Sequence, residues 1–126
     1  MIQLNHTIVS ARDALACAQC FSDILGLREP VRLGPFWAVS VENGVTLDFQ
    51  DWTEQILIEH YAFLVSQEEF AEIFERIRAR AWRHWADPTH LRPFESNCND
   101  GGRGVDWNDP NRHYLEINAH PYGGGG

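Results

Sequence analysis

Four side chains of the types that bind divalent metals and move protons occupy matched places in this sequence: His6, Asp48, His60 and Glu116. His6 stands in Leu4-Asn5-His6-Thr7-Ile8-Val9-Ser10. His60 stands in Ile58-Glu59-His60-Tyr61-Ala62-Phe63-Leu64-Val65-Ser66. Each stretch reads as a strand with a His near its start and a Ser at its end. The carboxylates are matched in the same way, because Leu47-Asp48-Phe49-Gln50 lies over Leu115-Glu116-Ile117-Asn118. Two imidazoles and a carboxylate suit a borderline divalent ion and leave coordination positions open. An ion with open positions polarises a bound oxygen or activates dioxygen. The expected ligands are therefore His6, His60 and Glu116, with Glu116 also able to act as a base. Asp48 has two readings: a fourth ligand or general base, or a solvated strand carboxylate. Tyr114, two residues before Glu116 and so on its face, is a candidate hydrogen-bond donor to a substrate.

The elements that must position these groups form an internal repeat of about sixty residues. After the first strand, Ala14, Cys17, Ala18, Phe21, Ile24 and Leu25 recur at helical spacing, with Gly26 as the C-cap. After the matching strand, Phe70, Ile73, Phe74 and Ile77 do the same, and this helix has no glycine at its end and is expected to run into Ala81. Ser66-Gln67-Glu68-Glu69 is a capping-box pattern, and Ser10-Ala11-Arg12-Asp13 is a weaker version. Alternating strands close the halves at Val45 to Gln50 and His113 to Asn118. Two further strands fit in each half, near Arg28 to Leu33 and Phe36 to Val41, and near Arg83 to Trp85 and Gly102 to Trp107.

Strand, helix, strand, strand, strand, given twice, predicts an α+β chain of two βαβββ modules around a cleft lined by mixed sheets. The modules span about residues 1–52 and 56–120 of a single domain, 1–122, with a flexible Gly tail at 123–126. If helices cover the Leu47, Phe49, Leu115 and Ile117 faces, the opposite side carries His6, Asp48, His60 and Glu116. The stretch from Asp87 to Gly102 is long for a loop in a compact domain, and such loops are often functional or mobile.

The net charge of -8 and only ten basic residues argue against nucleic-acid binding. No apolar run is long enough to span a bilayer, and Met1 to Ser10 lacks a signal-peptide pattern. Three cysteines do not make a disulfide framework, so a cytoplasmic protein is expected. Cys17-Ala18-Gln19-Cys20 has a redox or zinc spacing but no second pair, and core packing is expected for it. His84, His90, His113 and His120 are expected on the surface or in loops. Of Trp37, Trp52, Trp82, Trp85 and Trp107, some are expected in the core and some in the wall of a ligand pocket. Arg103, among glycines, either meets an anionic substrate or is solvated.

Asp109-Pro110-Asn111-Arg112-His113-Tyr114-Leu115-Glu116-Ile117 resembles the D-P-D-G-H-x-L-E-I ending of the vicinal-oxygen-chelate superfamily, with Asn-Arg in place of Asp-Gly at the turn. That superfamily holds glyoxalases, extradiol dioxygenases, fosfomycin-thiol transferases and bleomycin-binding proteins. The resemblance covers nearly the whole chain. It implies two βαβββ modules, a divalent Fe, Ni, Co, Mn or Zn on His6, His60 and Glu116 with Asp48 as a candidate fourth ligand, and a small-molecule substrate bound through adjacent oxygens. A homodimer is expected, because the modules of this fold pair within or between chains. The first expectation for activity is a glyoxalase-type lyase or isomerase with Asp48 or Glu116 as base. The alternatives are an iron-dependent extradiol-type oxygenase, a fosfomycin-type thiol transferase and a drug-binding resistance protein.

Overall fold

The computed structural model describes residues 1–86 and 103–119. The long stretch before Arg103, with His90 and Cys98, and the C-terminal stretch with His120 and the Gly tail, lie outside the described residues. The chain divides into two compact units, Met1–Leu57 and Ile58–Gly126.

The first unit contains β1 (His6–Ala11), α1 (Ala14–Leu25), β2 (Val31–Leu33), β3 (Phe36–Ser40) and β4 (Thr46–Asp51). Its strands lie in the order β1-β4-β3-β2, and only the β1–β4 pair is parallel. The second unit contains β5 (His60–Leu64), α2 (Gln67–Ala79), β6 (His84–Trp85), β7 (Gly104–Asn108) and β8 (Tyr114–Asn118). Its order, β5-β8-β7-β6, repeats the same topology, again with one parallel pair, β5–β8. The fold is thus the α+β arrangement of two βαβββ modules.

Helical spacing puts Ala14, Cys17, Ala18, Phe21 and Ile24 on one face of α1, and all five are buried. Period-two alternation puts Val9, Ala11, Val39, Leu47 and Phe49 on the matching face of the sheet, also buried. Phe21 and Phe49 meet edge to face with ring centroids 4.8 Å apart. Burying each of these side chains contributes about 1.5–3 kcal/mol. In the second unit Phe70, Ile73 and Ile77 of α2 are buried, as are Val105, Trp107, Leu115 and Ile117 of the sheet. The polar face of each sheet is therefore committed by the apolar one.

The helix ends show where local chemistry was and was not readable. Ser66 caps α2 through the full capping box, its Oγ accepting from Glu69 N while Glu69 Oε1 accepts from Ser66 N. In α1 the N-cap is Asp13, not Ser10; its carboxylate accepts from Ala16 N, while Ser10 remains in β1. Gly26 closes α1 in the left-handed region, at φ 71°. The second helix ends at Ala79, and Ala81 takes the left-handed conformation, φ 56°, without a glycine.

Candidate metal centre

In the second unit β5 and β8 pair with His60 opposite Tyr114 and Ala62 opposite Glu116. Leu115 and Ile117 are buried on one face, so Tyr114, Glu116 and Asn118 take the other, together with His60 and Ala62. His60 and Glu116 are diagonal neighbours, and both side chains are long enough to close that gap. His60 Nε2 lies 2.9 Å from Glu116 Oε1, with the imidazole 39% exposed and the carboxylate 12% exposed. Two ligand atoms bound at right angles to one ion at ~2.1 Å are themselves about 3 Å apart, so this pair has the spacing of adjacent metal ligands.

The first unit repeats the register: His6 opposes Thr46 and Ile8 opposes Asp48. His6 and Asp48 are thus diagonal neighbours on one face, as His60 and Glu116 are. Gln50 Nε2 donates to Ser10 Oγ at 2.9 Å on that same face, two residues further along both strands. His6 is exposed, and its Nδ1 pairs with Asn5 Oδ1 at 2.7 Å. A carbonyl oxygen only accepts, so Nδ1 carries the proton and the Nε2 lone pair remains to bind a metal. Asp48 is half-buried, and its Oδ1 is buried with no hydrogen-bond partner. Asp48 thus lies on the polar face, as its alternation with Leu47 and Phe49 implied.

Sequence reasoning missed Asp106. It lies on β7 opposite Glu116 of β8, on the same face, and is 1% exposed. Ligand atoms of His60, Asp106 and Glu116 all lie within 4.8 Å of one another. The alternation of Val105 and Trp107 around Asp106 was a usable signal. It marks the polar face of β7 but does not say which residue stands beside Glu116.

The segment that carries β8 is pinned by groups that were expected elsewhere. His113 is 1% exposed, not on the surface, because it occupies the place that buried Val45 holds before β4. Its Nδ1 accepts from Glu59 N at 2.9 Å, and its ring meets Tyr61 edge to face at 5.8 Å. Tyr114 N donates to Glu59 O at 2.8 Å. The residue before His60 is therefore tied twice to the start of β8. Asp109 Oδ1 accepts from Asn111 N and His113 N, which fixes the turn, and Arg112 takes φ 72° where the family pattern has glycine. His84 is likewise buried, against Phe74 at 5.3 Å.

Tyr114 is 36% exposed beside His60, with ring centroids 6.3 Å apart, so its ring stands on the face that carries His60 and Glu116. Arg103 is engaged within its own module. It donates to Gln67 Oε1 and Gln67 O, both at 3.0 Å, and stacks over Phe70 at 4.4 Å, tying β7 to the start of α2. Trp107 is buried, Trp37, Trp82 and Trp85 are half-buried, and Trp52 is exposed. Cys17 is a buried thiol, as its helical position implied. No helix among the described residues is long and apolar enough to cross a membrane.

No protein-family model matches the sequence, and no curated protein does. Solved structures do. Oxidase ChaP-H1 is 56% identical with a TM-score of 0.96, over 98% of this chain and 100% of that one. Oxidase ChaP-H2 is 54% identical with a TM-score of 0.96, over 99% of this chain and 98% of that one. A glyoxalase/dioxygenase from Nostoc punctiforme shares the fold at 20% identity and a TM-score of 0.70, over 94% of this chain and 91% of that one.

Proposed function

This chain belongs to the vicinal-oxygen-chelate superfamily, among its glyoxalase and dioxygenase enzymes, and we propose that it is a divalent-metal-dependent oxidase. Its substrate would be a small molecule that meets the metal through neighbouring oxygens, and dioxygen would be the oxidant. The observation that carries this reading is the identity of 56% along the full length of a protein named an oxidase. It ranks the oxygen-dependent reaction above the lyase that the sequence first suggests.

The ligand set in this reading is His6, His60 and Glu116, and the donor chemistry fits. His60 and Glu116 present nitrogen and oxygen 2.9 Å apart, and His6 carries its proton on Nδ1, leaving Nε2 as the donor. When bound, the ion supplies Lewis-acid polarisation of substrate oxygens and, if it is iron, electron transfer to dioxygen. His60 and Glu116 fix its position from neighbouring strands, so no side-chain search is needed on binding. Tyr114 offers a hydroxyl on the same face to orient the substrate. Asp48 shapes the pocket in this reading. We also propose a homodimer, because β1 and β5 are edge strands that carry His6 and His60 and leave backbone groups to pair.

One observation favours the second reading, a glyoxalase-type lyase or isomerase. Asp48 has a buried oxygen with no hydrogen bond, which suits a base that takes a proton from substrate. The deciding experiment is metal analysis of protein purified without added metal, followed by an oxygen-uptake screen with vicinal dioxygenated aromatics. Bound iron and substrate-dependent oxygen consumption support the oxidase. Nickel, cobalt, manganese or zinc, with isomerisation of an α-keto hemithioacetal and no oxygen uptake, supports the lyase.

A further inference from the structure

We infer that Asp106 is a further ligand of the metal held by His60 and Glu116, an inference that rests on the ligand set proposed above. Asp106 stands directly opposite Glu116 across the antiparallel β7–β8 pair, where side chains on one face are nearest neighbours. One ligand atom from each of Asp106, His60 and Glu116 falls inside a 4.8 Å cluster. Trans donors on one ion at ~2.1–2.2 Å lie about 4.2–4.4 Å apart, so a side-chain shift of a few tenths of an ångström brings all three onto a single ion. The carboxylate is 1% exposed, so it is held in place on that face and not extended into solvent.

The repeat shows that the fold itself does not require this group. The two modules share register throughout: His6 with His60, Thr46 with Tyr114, Asp48 with Glu116. The position opposite Asp48 on β3 is Ala38, and the position opposite Glu116 on β7 is Asp106. A carboxylate needed to hold this sheet together would be needed in both modules, and the first forms the same four-stranded sheet with a methyl group there. The second module then provides one imidazole and two carboxylates to the ion.

The test is titration of metal-free, full-length protein with Mn²⁺ by calorimetry, comparing wild type with Asp106→Asn. Asn keeps the shape and removes the charge and the anionic donor. The expected result is Mn²⁺ affinity reduced at least tenfold, a loss at or above the roughly 10–100-fold seen when a supporting partner is removed. Equal affinity in the two proteins overturns the inference and leaves the proposed ligand set standing. Failure of the wild type to bind Mn²⁺, Fe²⁺ or Co²⁺ overturns both. If Asp106→Asn does not fold, an anomalous-diffraction structure of the Mn²⁺-soaked wild type decides. A carboxylate oxygen of Asp106 within about 2.5 Å of the ion supports direct coordination, and a separation beyond about 4 Å refutes it.

Discussion

Replacing His113 with Ala should destabilise the protein and loosen the proposed metal site together, although His113 is not one of the proposed ligands. The ring is buried, meets Tyr61 edge to face, and accepts the amide proton of Glu59 at 2.9 Å. Losing an aromatic pair costs ~0.5–1.5 kcal/mol. Stripping the acceptor from Glu59 N costs about 1 kcal/mol, the low end of the usual range, because Glu59 is exposed enough for water to replace it. The cavity left by the ring brings the total to about 2–4 kcal/mol. For a chain of 126 residues that lowers the melting temperature by about 8–15 °C. Glu59 precedes His60, so the same change frees the backbone that aims the imidazole at Glu116, and metal affinity should fall by roughly 10–100-fold. The assay is a thermal melt and a urea titration of metal-free protein, with Mn²⁺ calorimetry on the same samples. His113→Gln, which keeps an acceptor, should recover part of both losses. A His113→Ala protein that melts within about 2 °C of wild type, far below the shift expected for a buried ring, would refute the anchoring role.

Other substitutions separate the proposed ligands from the frame. His60→Ala should abolish stoichiometric metal binding by elemental analysis while moving the metal-free melt little, because a 39% exposed imidazole contributes under about 1 kcal/mol through its pair with Glu116. Asp48→Asn should leave oxygen-coupled turnover nearly unchanged if the protein is an oxidase; a loss of ~10²–10⁴ in kcat, with metal content intact, would instead identify Asp48 as the proton-transferring base. Arg112→Gly should raise the urea midpoint, since releasing a left-handed side chain at φ 72° outweighs the added chain entropy by about 0.5–1 kcal/mol.

The elements and their faces were legible in the sequence because they follow from local periodicity. A period of two around Leu47-Asp48-Phe49-Gln50 and Leu115-Glu116-Ile117-Asn118 forces alternate residues to opposite faces, whatever the neighbours are. The same spacing, repeated, made His6 equivalent to His60 and Asp48 to Glu116 before any strand pairing was known. Helix ends with a dedicated side chain, such as the Ser66–Glu69 box, were readable for the same local reason. Tertiary structure decided what depends on partners distant in sequence. Asp106 became Glu116's neighbour only through the β7–β8 register, and a shift of one residue would have sent it to the opposite face. His113 became a buried anchor because Glu59, fifty-four positions away, offers its amide to the ring. Arg103 became a clamp because Gln67 and Phe70 of α2 lie within its reach. Arg112 takes a conformation its side chain disfavours because Asp109 and the hairpin fix the turn around it. Periodicity is a property of the chain alone, whereas register, burial and backbone strain are settled by whichever surface the folded chain brings alongside.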